Sequence, residues 1–499
     1  MLSITSPESS WPGERDASRR DVEVANEIPE PGLLSDFKRA LLASPDALGI
    51  NRLMHMELGS RAPQQKRFTF PAALLSHFPT LPSHTDLANL RLVFSTFCSG
   101  HVLMSRMPLP PPSREAIAPP LRLAQACLGS VYSRRGMEEA RDLFHAGANL
   151  WAVILEVDNS EARSIEMLVA CTLLSWYGVL CSDAGVLSRS GLQLSSNTTI
   201  ARRMRLNDPS QLEEFLGPRV SSYSASVWCL WLSDITHSLH TGLATNFSSR
   251  ELWTKMPSSQ VEFQDTYNSL LHEQDYDDYQ SNLPTDLTSA DDAVLLLMAI
   301  ISDAIYLRQS LGWLVPTDDT RRGNNPFVPL TPSTELARMQ KLLSKGLDRW
   351  QSQFQDLVSA DVMAFYHYCR LYISCPDLPA LSPLAGYPSH CRNSGFQSRP
   401  NTGNRIKISD QAVQQAWQVL DHAASRARAD EQLCPLWLPI VVFHAGLVIW
   451  ASLGLVGAEQ SERHGSKRAL LAFKVELEGM PWPCCAEMAS VLESLMTNV

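Results

Sequence analysis

The chain has 499 residues, 44% of them hydrophobic and 19% charged, with 42 Lys and Arg against 52 Asp and Glu for a net charge of −10. This composition excludes a collagen, a mucin stalk and a wholly disordered chain, and the length allows about three average domains or one large helical body. The acidic balance excludes nucleic-acid binding by bulk electrostatics, because gripping phosphates takes concentrated cations.

Residues 1–35 mix Ser, Pro, Glu, Asp and Arg without a period and read as a disordered tail. They offer neither the charged start nor the apolar stretch of a secretory signal. Residues 36–120 read as an N-terminal helical segment closed by a Pro-rich connector, RMPLPPPSREAIAPP at 106–120, which cannot be helical throughout. From residue 121 to 375 the pattern predicts the helical core. Leu143, Gly147, Leu150, Trp151, Ile154 and Val157 recur at helical spacing, and Met167 to Cys181 is apolar nearly all round. An amphipathic helix packed beside a buried one is expected.

Within that core, residues 262–288 read as an acidic loop. Glu262, Asp265, Glu273, Asp275, Asp277, Asp278 and Asp286 are interleaved with Phe263, Tyr267, Tyr276 and Tyr279, and repulsion should keep the stretch around 272–288 open and exposed. Ser289-Ala-Asp-Asp292 has the shape of a capping box at the start of a buried helix. Leu336, Met339, Leu343, Leu347, Trp350, Phe354 and Leu357 form one helical stripe. Residues 376–409, rich in Pro, Ser, Gly and Asn, read as a surface loop. Residues 410–499 read as the C-terminal helices of the same domain, with a stripe of Val413, Ala416, Trp417, Leu420, Ala423, Ala424 and Ala427. Residues 433–458 carry no Asp, Glu, Lys or Arg and could reach across a bilayer. Pro435, Pro439, His444 and the acidic flanks favour a fully buried core helix instead. No period-2 strand pattern occurs, so the fold class is all-α: stacked helices joined by long loops.

Dinucleotide, phosphate-loop, nucleophile-elbow and zincin motifs are all missing from the sequence. Asp234, His237 and His240 are the one metal-like constellation, but they share an apolar helix with Trp228 and Trp231, where hydrogen-bonded, partly buried histidines are expected. The eleven cysteines include no CxxC pair and read as small buried hydrophobes in a reducing compartment. Cys484-Cys485 could be a redox pair, although vicinal disulfides are strained. Arg202, Arg203 and Arg205 could meet phosphate, yet beside Asn207 and Asp208 they read as a solvated helix end. No case for an enzyme, a catalytic residue, a metal or a cofactor follows from these residues.

Three passages carry a resemblance. ARRMRL at 201–206, SVWCLWLSDITHSLHTG at 226–242 and the close at Met256-Pro257 resemble the central signature of the fungal-specific transcription factor regulatory domain, the middle homology region of zinc-cluster and some zinc-finger regulators. Trp228, Trp231, Asp234, Ser238, Gly242 and Pro257 stand at its signature positions, which span 201–257. PPLRLAQACLGSVYS at 119–133 is similar to the family's early helices and residues 416–451 to its late ones. Two positions depart from the pattern: Ile235 stands where the family often has Arg, and Gly242-Leu243-Ala244 where it has Gly-Arg-Pro. No cysteine precedes Cys98, so the zinc module that reads DNA in that family is expected to be missing from this chain, and zinc would accompany only such a module.

The resemblance implies a nuclear transcription regulator, of the kind that governs a biosynthetic gene cluster for secondary metabolites, working through protein partners of the transcription machinery. DNA would be reached through a missing module or a partner, and a small-molecule effector is possible; no membrane is involved. The alternative is a non-DNA-binding adaptor or small-molecule sensor built on the same helices.

Overall fold

Why this chain starts its helices where it does is plainest at Pro119 and Pro120. They occupy the first two positions of a helix, where a missing N–H breaks no intrahelical bond, and the Arg122 N–H donates back to the Ala118 carbonyl at 3.1 Å. The computed structural model describes residues 84–109, 118–133, 137–157, 162–209, 220–272, 287–311, 332–387, 408–428, 434–455 and 460–498. Among them are fifteen α-helices and no strand; the one β-bridge joins Lys255 to Glu262. The expected tail at 1–35, residues 36–83 and most of the Pro-rich connector (110–117) lie outside the described residues.

Five helices form the N-terminal stack: α1 (His84–Cys98), α2 (Pro119–Ser133), α3 (Met137–Val157), α4 (Ile165–Val179) and α5 (Ala184–Arg203). A 3-10 turn at Met104–Arg106 follows α1. Ser164 and Asp183 cap α4 and α5, their side chains accepting from Met167 N at 3.3 Å and Val186 N at 2.9 Å. As expected, α4 is buried all round from Met167, and α2, α3, α5 and α6 (Val220–Thr241) pack against it. Helices α1 and α2 cross closely at Gly129, where an added Cβ would lie 2.0 Å from the Leu90 carbonyl oxygen.

The C-terminal stack contains α8 (Ala290–Leu311), α9 (Pro332–Phe354), α10 (Ala360–Ser374), α11 (Leu378–Leu384), α12 (Asp410–Arg428), α13 (Leu438–Leu455), α14 (Gln460–Glu478) and α15 (Cys484–Asn498), with α7 (Phe263–Leu271) against α9. Its centre is α13, packed by α10, α11, α12, α14 and α15, and Cys434 to Ile449 is buried without a break. Among the described residues no helix is long and apolar enough to cross a membrane. Helix α6 joins the two stacks: it touches α4 and α5 on one side and α8 and α13 on the other.

Several expectations need correction. The strip 262–288 begins as helix α7, because Phe263, Tyr267 and Leu270 fall on one helical face and are buried; residues 273–286 lie outside the described residues. The surface loop at 376–409 begins as α11, where Leu378 and Leu381 are buried, and Tyr387 beyond it is buried too; 388–407 are outside the described residues. At α8, Ser289 caps by accepting from Asp291 N at 3.1 Å, but Asp292 does not close the box. Its carboxylate accepts from Ser258 N at 2.9 Å and Ser259 N at 3.2 Å instead, tying α8 to the end of the signature loop. The buried face of α12 is Ala412, Ala416, Val419, Leu420 and Ala423, so of the predicted stripe Ala416, Leu420 and Ala423 are buried while Trp417 sits at the edge, 37% exposed and against Phe473. Leu357 lies past the end of α9 and is exposed.

Candidate regulatory core

Everything from Ser224 to Thr241 in α6 is buried, on every face of the helix, so its polar side chains must find partners inside the protein. Asp234 accepts three hydrogen bonds, from Asn246 N at 2.6 Å, Asn246 Nδ2 at 2.7 Å and Phe247 N at 2.9 Å. A single carboxylate thereby folds the loop after α6 back onto the helix. Burial pushes the Asp234 carboxyl up to about 6, against the pull of those donors and of Arg202.

Arg202 is the outer half of the same assembly. It makes a bidentate pair with Glu251 at 2.7 and 2.9 Å, donates to the Asn246 carbonyl, and lies 5.1 Å from the Phe247 ring centroid. Glu251 in turn accepts from Ser248 N at 3.1 Å, closing a capping box on the 3-10 turn at Ser249–Glu251. Arg202 thus clamps the loop while its side chain stays 39% exposed at the helix end, where the sequence places it; Arg203 and Arg205 are exposed too.

The two signature tryptophans anchor the rest of the loop. Trp228 Nε1 donates to Thr254 Oγ1 at 3.0 Å, and the Thr254 carbonyl accepts from Phe263 N at 3.0 Å. Trp231 meets Phe263 edge-on with centroids 6.1 Å apart, and Phe263 stacks on Tyr267. Tyr267 donates to Asp303 Oδ2 at 2.8 Å, and Ser249 donates to the other oxygen of Asp303. Gly242 ends α6 with φ +76°, its N–H donating to the Ser238 carbonyl at 2.8 Å, while Ser238 Oγ donates to the Leu243 carbonyl. The Pro257 carbonyl accepts from Arg106 Nη1 at 2.8 Å.

His237 and His240 are not drawn towards Asp234. His240 Nδ1 faces the Val179 carbonyl at 2.6 Å, an oxygen that only accepts, so this nitrogen carries the proton and Nε2 accepts from Tyr387 Oη at 2.8 Å. Burial, with His240 nearby, drives His237 down to about 4. The histidines are therefore buried structural groups, with His240 hydrogen-bonded as expected. Among the described residues no group of three or more His, Cys, Asp and Glu could hold a metal ion. The ten described cysteines are all buried free thiols, Cys484 and Cys485 included, and Cys391 lies outside the described residues. Burial pushes Cys98 up to about 12 and Cys375 up to about 11, which leaves them protonated near neutrality.

Sequence reasoning missed Arg202 as a clamp, Asp303 and Tyr387. Asp303 stands alone among apolar residues in AIISDAIYL, a signal that a buried partner was waiting. Tyr387 had none, being set in what reads as loop. At Ile235, where the family's Arg was expected, the side chain is 1% exposed and faces the core.

The arrangement is a buried helix whose Trp228, Asp234 and Ser238 side chains hold its own following loop. Residues 107–350 match the model of the fungal specific transcription factor domain, a span running from the end of the 3-10 turn after α1 into the last turns of α9. Neither the curated proteins nor the solved structures that were searched gave a match. The α6 signature, from Trp228 to Pro257, lies inside that matching span, so the likeness to the fungal specific transcription factor domain includes the same residues that hold the loop on α6.

Proposed function

We propose that this protein, a fungal transcription regulator by its domain, acts in the nucleus by binding other proteins and controls a secondary-metabolite biosynthetic gene cluster. The observation that carries the regulatory reading is the family match over 107–350, supported by the signature loop clamped on α6. In this reading the helical body is a platform that acts by contact: Asp234, His237 and His240 are buried and, with Asp303, serve packing, while its exposed charges form the surface that partners meet. DNA is reached through a zinc module or a partner protein, since the net charge of −10 gives the body no general attraction for phosphates.

The test is the full chain tethered to a heterologous DNA-binding domain upstream of a reporter. Activation or repression of at least several-fold is expected, and no change in either direction overturns the reading. Transcript profiling after deletion of the gene addresses the finer statement: loss of expression across one contiguous biosynthetic cluster is expected, and an unchanged profile of such clusters removes it. The second reading, a small-molecule sensor on the same helices, is favoured by one feature, a partly buried polar cavity beside α1.

A further inference from the structure

Helix α5 closes in a Schellman arrangement, with Leu206 N–H donating to the Ala201 carbonyl at 3.0 Å and Arg205 N–H to the Arg202 carbonyl at 3.0 Å. The residue after the cap then takes a left-handed conformation, which glycine adopts freely and other residues adopt at a cost. Here that residue is Arg205, with φ +56°. Among the described residues its exposed side chain makes no hydrogen bond or ion pair, and the same holds for Arg203. The last turn of α5 already has Arg202 and Arg203 to meet the negative end of the helix. The side chain of Arg205 is thus kept at a conformational cost without a contact inside its own fold.

An exposed tryptophan stands beside it. Trp253 N–H donates to the Asn207 carbonyl at 2.7 Å, which sets Trp253 against a residue two positions from Arg205. Leu252 and Thr254 on either side are buried, yet Trp253 is 57% exposed. Glu251, on the same strip, is taken by Arg202. Trp and Arg are the side chains that most often dominate protein contacts, and the guanidinium fork matches a carboxylate. Two unpaired cations neutralise too few phosphates to hold a nucleic acid, which would bring its charge along its whole length against a chain of net charge −10. A short acidic segment brings only a few charges.

We propose that Arg203, Arg205 and Trp253 form a docking surface for an acidic protein segment, its carboxylates held by the two guanidiniums and an aromatic side chain of the segment laid against the indole. The surface rests on the reading of this protein as a regulator that acts by contact, and gives that contact a place and a partner chemistry.

The experiment follows the fluorescence anisotropy of a labelled synthetic peptide of alternating Asp and Tyr added to the purified full chain. The same peptide with Asn for Asp and an oligothymidylate of similar length serve as comparisons. Saturable binding of the acidic peptide is expected, with Kd on the order of 100 μM or tighter, and roughly tenfold weaker binding of the Asn form. Arg205→Gly removes the charge and relieves the left-handed backbone. It should weaken binding about fivefold while the thermal unfolding midpoint stays level or rises, which the loss of a merely structural residue would not give. Trp253→Ser, at an exposed position, should weaken binding to a similar degree with an unchanged circular dichroism spectrum. No binding of the acidic peptide, equal binding of its Asn form, or unaltered binding in Arg205→Gly each overturns the proposal. So does oligothymidylate binding as tightly as the peptide, which would make this a nucleic-acid surface. A dimer in sedimentation that Arg205→Gly dissolves would make it a contact between copies and overturn the proposal as well. Binding is read on the protein alone, so a silent reporter assay strikes the regulator reading and leaves this surface standing, while an unbound peptide does the reverse.

Discussion

Asp234 holds three N–H donors with one side chain, which makes it the single residue on which the loop after α6 most depends. Asp234→Asn keeps the shape but turns one acceptor oxygen into a donor that faces other donors. The expected loss is about 2–4 kcal/mol, since a buried donor left without an acceptor forfeits its full desolvation penalty, and urea unfolding measures it. The two tryptophans offer a matched comparison. Trp228 Nε1 reaches Thr254, whereas Trp231 Nε1 has no hydrogen-bond partner. Replacing either by Phe removes the same volume, so Trp228→Phe should be the more destabilising by about 1 kcal/mol, the net worth of one hydrogen bond.

At the scale of the element, two glycines contrast a conformational cost with a steric one. A Cβ at Gly242 would meet nothing within 4 Å, but φ is +76°. Gly242→Ala should therefore lower stability by about 1–2 kcal/mol, the left-handed penalty alone. At Gly129 the backbone is helical and the obstacle is the Leu90 backbone. Gly129→Ala must push α1 off α2 and should be clearly the worse of the two, with the thermal unfolding midpoint as the readout.

How much of this was legible follows from how each element is buried. Helices α4, α8 and α13 could be read from long apolar runs, because a helical stretch buried on every side needs no partner to be recognised; in α8 that stretch is 292–302, and Tyr306 beyond it is exposed. The phase of α12 could not: Ala412 and Val419 complete its buried face, and a Trp at the edge outweighs small residues in any sequence pattern. Helices α7 and α11 are short and embedded in polar, Pro-containing sequence, so tertiary contacts of Phe263, Tyr267, Leu378 and Leu381 decide them. The signature positions Trp228, Asp234 and Gly242 were legible from the family resemblance, but their partners Thr254, Asn246 and Arg202 lie up to 32 residues away with no periodic relation.

Over the whole molecule the buried ionisable groups set how stability responds to acid. His101, His237 and His367 are each held down at about 4 and His444 at about 3, chiefly by burial. For each of these the unfolded chain takes up its proton first, near 6.5, so stability is lost as pH falls from there towards 4. Asp234, with its carboxyl raised to about 6, works the other way: the folded state binds its proton first, so its contribution grows as pH falls through 6 towards 3.8. A tenfold difference in proton affinity between folded and unfolded chain is worth about 1.4 kcal/mol, so these four histidines, joined by His145 and His422, which burial also lowers, outweigh Asp234, Asp292 and Asp303, whose carboxyls burial raises. Stability should therefore fall steeply between pH 6.5 and 4, as urea midpoints across that range would show. His444→Gln, which keeps a partner for Tyr368 Oη, should flatten the curve.

The ten buried cysteines among the described residues give the chain a set of built-in reporters on its own breathing. A thiol with almost no exposed surface cannot be alkylated until the structure around it lifts away. In neutral buffer each one becomes a stopwatch for its own neighbourhood: Cys229 times the departure of α6, Cys369 that of α10 and Cys484 that of α15. Mass spectrometry after pulses of iodoacetamide would then rank the helices by how readily each lets go, without a single mutation.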